Sequence, residues 1–192
     1  MARPRVSPNR STRTPTARII GATLEDVKAF RTSKGGRDAM DNSGKQPMVL
    51  ELRLTRDLKK RDFRRKARAL AALGRDGKLV KTKPPPRGNP VKKYRKDTVK
   101  RIKERYKDNP ALMKKMLKKF DSGTSGADPR GVTKRDQYME PDHIHELQLG
   151  GADKADNLMW LDSRTNRLLG GDIKVALNGV PEGTPIIVRI VE

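Results

Sequence analysis

The sequence predicts an α+β fold, with a C-terminal unit of two strands and a helix behind a basic, mostly helical region and a flexible basic arm. Three observations predict it. Only 33% of the 192 residues are hydrophobic and 4% aromatic, too few for one core to fill the chain, so part of it is expected to be extended or loosely packed. Charge is divided along the chain: residues 1–50 hold 10 Lys and Arg against 4 Asp and Glu, residues 51–120 hold 27 against 7, and residues 121–192 hold 8 against 12. Apolar residues recur at helical spacing over 91–106 and 110–120, whereas Tyr138 to Leu161 offers two short strand segments.

Taken in order, residues 1–47 are rich in Arg, Ser, Thr, Pro and Gly, with SKGG and DNSGKQP as turn or linker signals. Only Thr23 to Phe30 reads as helical, and the arm is expected to be flexible or a docking segment. Met48 to Leu54 alternates apolar and polar residues after Val49, which suits a short strand. Thr55 can cap a helix running to about Leu73, with Leu58, Ala67, Leu70 and Leu73 as a thin apolar face and Gly74 as its end. Lys81 to Pro90, with Pro84-Pro85-Pro86, reads as a stiff linker.

Val91 to Tyr106 and Pro110 to Phe120 read as two basic amphipathic helices, Asn109-Pro110 marking a start. Residues 48–120 are therefore expected to be a nucleic-acid platform, because cations that meet phosphates release condensed counterions. The alternative is a set of solvated helix faces. Asp121 to Gly131 reads as a loop and opens the C-terminal module, residues 121–192. There, Tyr138 to Ile144 is the first expected strand, Gly150-Gly151 a turn, and Asn157 to Leu161 the second strand. Asp162 is placed to cap the helix that carries Asn166.

The formal charge of +22 calls for a polyanionic partner, either nucleic acid or an acidic binding protein. Carboxylates gathered beside a basic platform suggest metal chemistry on a phosphate backbone. The chain has no cysteine, which excludes disulfides and thiolate zinc sites. The N-terminus has no apolar signal-peptide core, and no run approaches the roughly 20 apolar residues of a membrane span. No membrane insertion is expected.

From Tyr138 the chain reads YMEPDHIHELQLGGADKADNLMWLDSRTNRLLGG; Asn157 follows His143 by 14 positions and Asn166 follows Asn157 by 9. Over about 40 residues this resembles the HNH pattern of the ββα-metal endonuclease superfamily. The matching residues are Asp142, His143, Ile144, Leu147, Gly150, Gly151, Asn157, Leu158, Leu161 and Asn166. Phosphodiester hydrolysis needs a base to activate water and a cation to stabilise charge at phosphorus and the leaving oxygen. Imidazole titrates near neutrality and suits the base. The resemblance implies His143 as base, Asn157 as the residue that holds its loop, and Asp142 and Asn166 as metal ligands. Two oxygen ligands favour Mg²⁺ or Mn²⁺ over Zn²⁺; relatives with a terminal His accept softer metals, whereas this chain has Asn166 there.

Around that set, His145 in an extended segment projects to the side of His143, open to contact with substrate or to a structural role. Glu140 and Glu146 fall off the matched positions. Arg164 and Arg167 flank Asn166 and can serve phosphate or surface ion pairs, while Trp160 suits packing more than base stacking.

The resulting expectation is a metal-dependent DNase of low sequence specificity acting on double-stranded DNA. A C-terminal module of this kind behind a basic region is similar to nuclease domains of bacterial polymorphic toxins, type VI effectors and nuclease bacteriocins. That implies an acidic immunity protein as partner, and residence in the bacterial cytoplasm or delivery by a specialised system into a target cell. The alternatives are a phage or mobile-element HNH nuclease, an RNase of the same fold, and a non-catalytic nucleic-acid-binding protein.

Overall fold

The computed structural model describes residues 13–120 and 138–192, so the expected loop Asp121–Gly131 and residues 1–12 of the arm lie outside the described residues. The chain is α+β. It runs β1 (Ala17–Gly21), α1 (Leu24–Thr32), α2 (Lys34–Ser43), β2 (Met48–Arg53), α3 (Lys60–Arg75), α4 (Pro90–Arg105) and α5 (Pro110–Phe120). After the undescribed segment come β3 (Met139–His143), β4 (Leu158–Asp162), α6 (Ser163–Ala176) and β5 (Ile186–Val191).

One sheet has the order β1-β2-β5, with β1 antiparallel and β5 parallel to the central β2. The other is the antiparallel pair β3–β4. Helices α3 and α6 pack on the three-stranded sheet and also meet the β3–β4 hairpin, while α4 and α5 lie against β3. Leu50 and Leu52 of β2, Phe63, Ala67 and Leu70 of α3, Leu169 and Ile173 of α6, and Ile186 of β5 form one buried cluster. Each of the Leu, Ile and Phe side chains among them stabilises the fold by about 1.5–3 kcal/mol relative to exposure.

Several expectations are corrected by this arrangement. Residues 13–47 are not a flexible arm: β1 pairs with β2 over Ala17↔Leu52 to Gly21↔Met48, and Ala17 belongs to the core cluster. The expected helix at Thr23 is present as α1, closed by a capping box in which Thr23 Oγ1 accepts from the Asp26 N–H (3.1 Å) and Asp26 accepts from the Thr23 N–H (2.8 Å). The SKGG segment opens α2 instead of forming a linker, because the Ser33 hydroxyl caps it by accepting from Gly36 N (2.9 Å). The segments 1–47, 48–120 and 121–192 share one sheet, since they hold β1, β2 and β5 respectively.

Thr55 does not cap α3. Its carbonyl accepts from Leu58 N (3.1 Å) in a turn, and the helix starts at Lys60, after Lys59 N has donated to Thr165 Oγ1 of α6 (3.0 Å). Nor does Gly74 end it: Gly74 is buried inside α3, where a Cβ would stand 3.3 Å from the β5 backbone at Ile186 O and Val188 N. Glycine there lets helix and strand approach. Helices α4 and α5 begin at Pro90 and Pro110, whose fixed φ and missing N–H suit the first helical turn.

Candidate active site

The strand β3 brings the carboxylates of Glu140 and Asp142 to one face and His143 to the other, by the alternation of a pleated strand. It pairs with β4 over Met139↔Asp162 to His143↔Leu158. One further bond, Ile144 N to Asn157 O at 2.8 Å, carries the pairing past the strand end. Each face then finds different partners.

On the first face, the fully buried Lys66 of α3 places its ammonium 2.7 Å from Asp142 Oδ2 and 2.8 Å from Glu146 Oε1, and donates to the His143 carbonyl. Burial pushes the Lys66 pKa down, but the two carboxylates more than reverse this and leave it above its ordinary value. For Asp142, burial pushes the carboxyl up; Lys66 pulls it down without cancelling, and the Glu146 charge adds to the rise. Two carboxylates share one ammonium, so the cluster keeps net negative character.

Also on this face, Asn166 Nδ2 donates to Glu140 Oε2 at 3.3 Å. Asn166 stands in the first turn of α6, which Asp162 caps by accepting from Thr165 N (3.0 Å). Asp162 is itself ion-paired with Lys59 and donates its N–H to Asp62 of α3 (3.2 Å). Hence Lys66 of α3 meets the acids at the end of β3, and Lys59, just before α3, meets the acid at the end of β4.

On the second face, His143 Nε2 lies 2.9 Å from Asp153 Oδ1, both side chains being about nine-tenths buried. Asp153 also accepts from Gly88 N (2.6 Å). Burial pushes the Asp153 carboxyl up, but the Gly88 N–H, the His143 hydrogen bond and charge, and Arg87 outweigh it and hold it below the usual carboxylate value. An ionised carboxylate only accepts, so Nε2 carries the hydrogen, and in the neutral imidazole Nδ1 is then the acceptor. Among the described residues that Nδ1 makes no hydrogen bond.

The loop between the strands is braced by Asn157 and His145. Asn157 Oδ1 accepts from His145 N (2.8 Å), and its Nδ2 donates to the carbonyls of His145 (2.9 Å) and Ala152 (2.8 Å). The His145 ring donates through Nε2 to Leu149 O (2.8 Å). The chain bends after β3, so His145 does not continue the extended alternation with His143, and its ring is engaged by the loop. Gly150 takes φ 94°, a left-handed conformation that disfavours side chains. A Cβ on Gly151 would overlap the His145 carbonyl.

Of the flanking residues, Arg164 pairs with Asp57 (2.7 Å), while the exposed Arg167 donates to Ser163 O (3.3 Å). Trp160 packs against Tyr94 of α4 and Phe120 of α5, with ring centroids 5.5 and 5.1 Å apart, and its Nε1 donates to Thr98 Oγ1 (3.2 Å). The basic helices are thereby clamped onto the hairpin.

Among the described residues no three His, Asp or Glu side chains converge as a metal cluster. Asp142 and Asn166 are not brought into mutual contact: the first meets Lys66 and the second Glu140. Sequence reasoning missed Lys66 and Asp153 altogether. Lys66 had a signal, since it is the charged residue at helical spacing within the apolar positions Phe63, Ala67 and Leu70. Asp153 had none, being one of several acids after the glycine turn. Comparison with protein-family models, curated proteins and solved structures finds no match for this chain.

Proposed function

We propose that the chain is a metal-dependent endonuclease of the HNH type, in which β3, β4 and α6 form the ββα module. The observation that carries this reading is the His143–Asp153 pair at the end of β3. A carboxylate on Nε2 fixes the ring and its tautomer, so that Nδ1 can take a proton from water attacking phosphorus. Asn157 supports the reading by holding the loop that follows His143, as does the arrangement of an antiparallel hairpin followed at once by the helix bearing Asn166.

The side chains suit a hard cation in kind. Asp142 and Asn166 offer oxygen donors, with Glu140 beside Asn166, and the Asp142–Glu146 pair holds more negative charge than Lys66 neutralises. Mg²⁺ is commonly held through one or two carboxylates with water completing its shell, and Mn²⁺ accepts the same donors; Zn²⁺ is less suited. Bound there, the cation would supply charge stabilisation at the scissile phosphate and leaving oxygen. Lys66 opposes the rise that burial gives the Asp142 carboxyl and fixes the strand end through the His143 carbonyl, and the exposed cations of α4 and α5 supply nonspecific attraction to the DNA backbone.

The test is incubation of plasmid with wild-type protein and Mg²⁺, beside EDTA and His143→Ala controls, with RNA in parallel. Cleavage is expected in the first lane and its loss in both controls. Intact plasmid and RNA throughout would overturn the enzyme reading in favour of a non-catalytic nucleic-acid-binding protein, and cleavage of RNA alone would make the protein an RNase. Use as an antibacterial toxin, with an acidic immunity protein as partner, rests on the resemblance of the module and on the basic surface. Expression in bacteria should cause DNA loss that His143→Ala abolishes, and equal toxicity of the variant would remove this use.

A further inference from the structure

A second polar concavity lies where the chain enters β1, leaves β2 and begins α6. Arg13, Thr14, Arg53, Leu54, Thr55, Arg56, Asp57 and Arg164 enclose a cavity of about 590 Å³. Four of the eight residues are arginines and one is acidic; the neighbouring Asp172 and Glu51 offset part of this charge, and the lining stays net positive.

Those carboxylates fix the guanidiniums more than they consume them. Arg13 makes two bonds to Asp172 (2.8 and 2.7 Å), and Asp172 is held in turn by the N–H and hydroxyl of Thr16, each at 2.7 Å. Arg164 is braced by Asp57 (2.7 Å) and Arg53 by Glu51 (3.2 Å). A guanidinium carries five N–H donors in a planar fork, so the single bond of Arg53 to Glu51 leaves donors over while removing rotational freedom. Arg56 is exposed and makes no ion pair among the described residues.

The Thr55 hydroxyl, in the lining, is buried and has no hydrogen-bond partner among the described residues. Buried hydroxyls without partners are uncommon and unfavourable. Thr55 Oγ1 has no surface open to the cavity, so a ligand is met by the guanidiniums, whose fork matches phosphate geometry better than lysine does.

We infer that this arginine cleft binds phosphate, and that its occupant is the phosphodiester backbone of a nucleic acid lying across the start of α6. The occupant rests on the nuclease reading: Arg164 of the cleft and Asn166 of the candidate site are two residues apart on one helix, an axial rise of about 3 Å. About 200° separates the two around the helix axis, so a strand that crosses the N-terminal end of α6 meets the cleft on one side and the candidate site on the other, and the cleft serves as a positioning subsite for backbone flanking the reacting bond.

The experiment is fluorescence anisotropy of a labelled DNA duplex with the full chain carrying His143→Ala, over a salt series, in the backgrounds Arg56→Ala, Arg53→Ala/Arg56→Ala and Thr55→Val. The slope of log affinity against log salt should shrink by about 1 for each arginine removed. Arg75→Ala, at the far end of α3, should leave it unchanged. Thr55→Val should leave affinity and slope unchanged, because the hydroxyl is shut off from the cavity. Melting curves of each variant establish that it is folded.

Unaltered affinity and slope in folded Arg53→Ala/Arg56→Ala would overturn the inference. A parallel titration with pyrophosphate distinguishes the source of phosphate: binding lost in the double variant while duplex binding stays intact would assign the cleft to a free phosphate ligand and overturn its nucleic-acid occupancy. Intact plasmid with the wild type, beside a full change of slope in the variants, would remove the nuclease reading and keep the cleft. Cleavage with no change of slope would do the reverse.

Discussion

Replacing Lys66 by Met tests the arrangement at the end of β3 most directly. The side chains are of similar length, so apolar packing against α3 is largely kept, while the ammonium that faces Asp142 and Glu146 is lost. Asp142 and Glu146 are only 11% and 13% exposed, so neither carboxylate can recover full hydration, and the His143 carbonyl loses its donor. Removing one member of such a buried charge cluster costs about 3–5 kcal/mol. At about 2–4 °C per kcal/mol for a chain of this size, the melting temperature should fall by roughly 6–20 °C. Calorimetry or a circular-dichroism melt at neutral pH measures this. Adding Asp142→Asn and Glu146→Gln to Lys66→Met removes the stranded charges and should restore most of the loss, because neutral replacement of a buried ion cluster is close to neutral in energy. A Lys66→Met protein that melts with the wild type would refute the reasoning, since Lys66 would then not be the buried partner of those carboxylates.

Three further outcomes follow from the same geometry. Asp172 is pushed up by burial but held below the usual carboxylate value of 3.8 by Arg13 and Thr16; a depressed folded pKa stabilises above the unfolded value and is lost as pH falls through the folded one. Asp172→Asn should therefore cost about 2–3 kcal/mol at neutral pH and progressively less in acid, read from urea midpoints across that range. Asp153→Asn releases the His143 tautomer, and cleavage should fall on the order of 10²-fold or more with kcat affected more than KM; a variant with wild-type kcat would detach Asp153 from the chemistry. Gly151→Ala forces a Cβ into the His145 carbonyl, so the loop must shift; thermal stability and cleavage should drop together, and a folded, fully active variant would contradict the described turn.

The local parts of the fold were legible because local chemistry determines them. Met48 to Leu54 alternates and forms β2, Pro110 opens α5, and Asp162 caps α6. The strand β5 was missed although Ile186-Ile187-Val188 and Ile190-Val191 are β-branched; those residues favour strands, but a parallel partner 138 positions away at Met48 leaves no nearby turn to announce it. Shortness hid β1, whose run Ala17–Gly21 gains its stability from β2 and from the core beneath it. In the candidate site, the residues within the HNH-like pattern could be named from their order, whereas their partners could not. Hydrogen bonds from Asn157 reach only 12 positions back, but Lys66 is 77 positions from His143.

The charge division looks different once these contacts are known. The excess of Lys and Arg in residues 51–120, beside the acid-rich residues 121–192, suggested a basic platform for an external polyanion. Part of that charge is used internally: Lys59 pairs with Asp162, Arg64 with Glu192, and Lys66 with Asp142 and Glu146. All three cations come from α3 or its first flanking residue, and all four acids belong to the C-terminal module. Along α4 and α5, by contrast, Lys92, Lys93, Lys96, Lys100, Lys103, Lys114, Lys115, Lys118 and Lys119 are exposed. The two halves of the basic segment therefore have different roles: α3 neutralises the acids that a strand end and a helix start bring into the interior, and α4 with α5 presents charge outward. Variants of the two should separate in experiment, with exposed lysines of α4 and α5 altering the salt dependence of DNA binding and Lys66 altering stability.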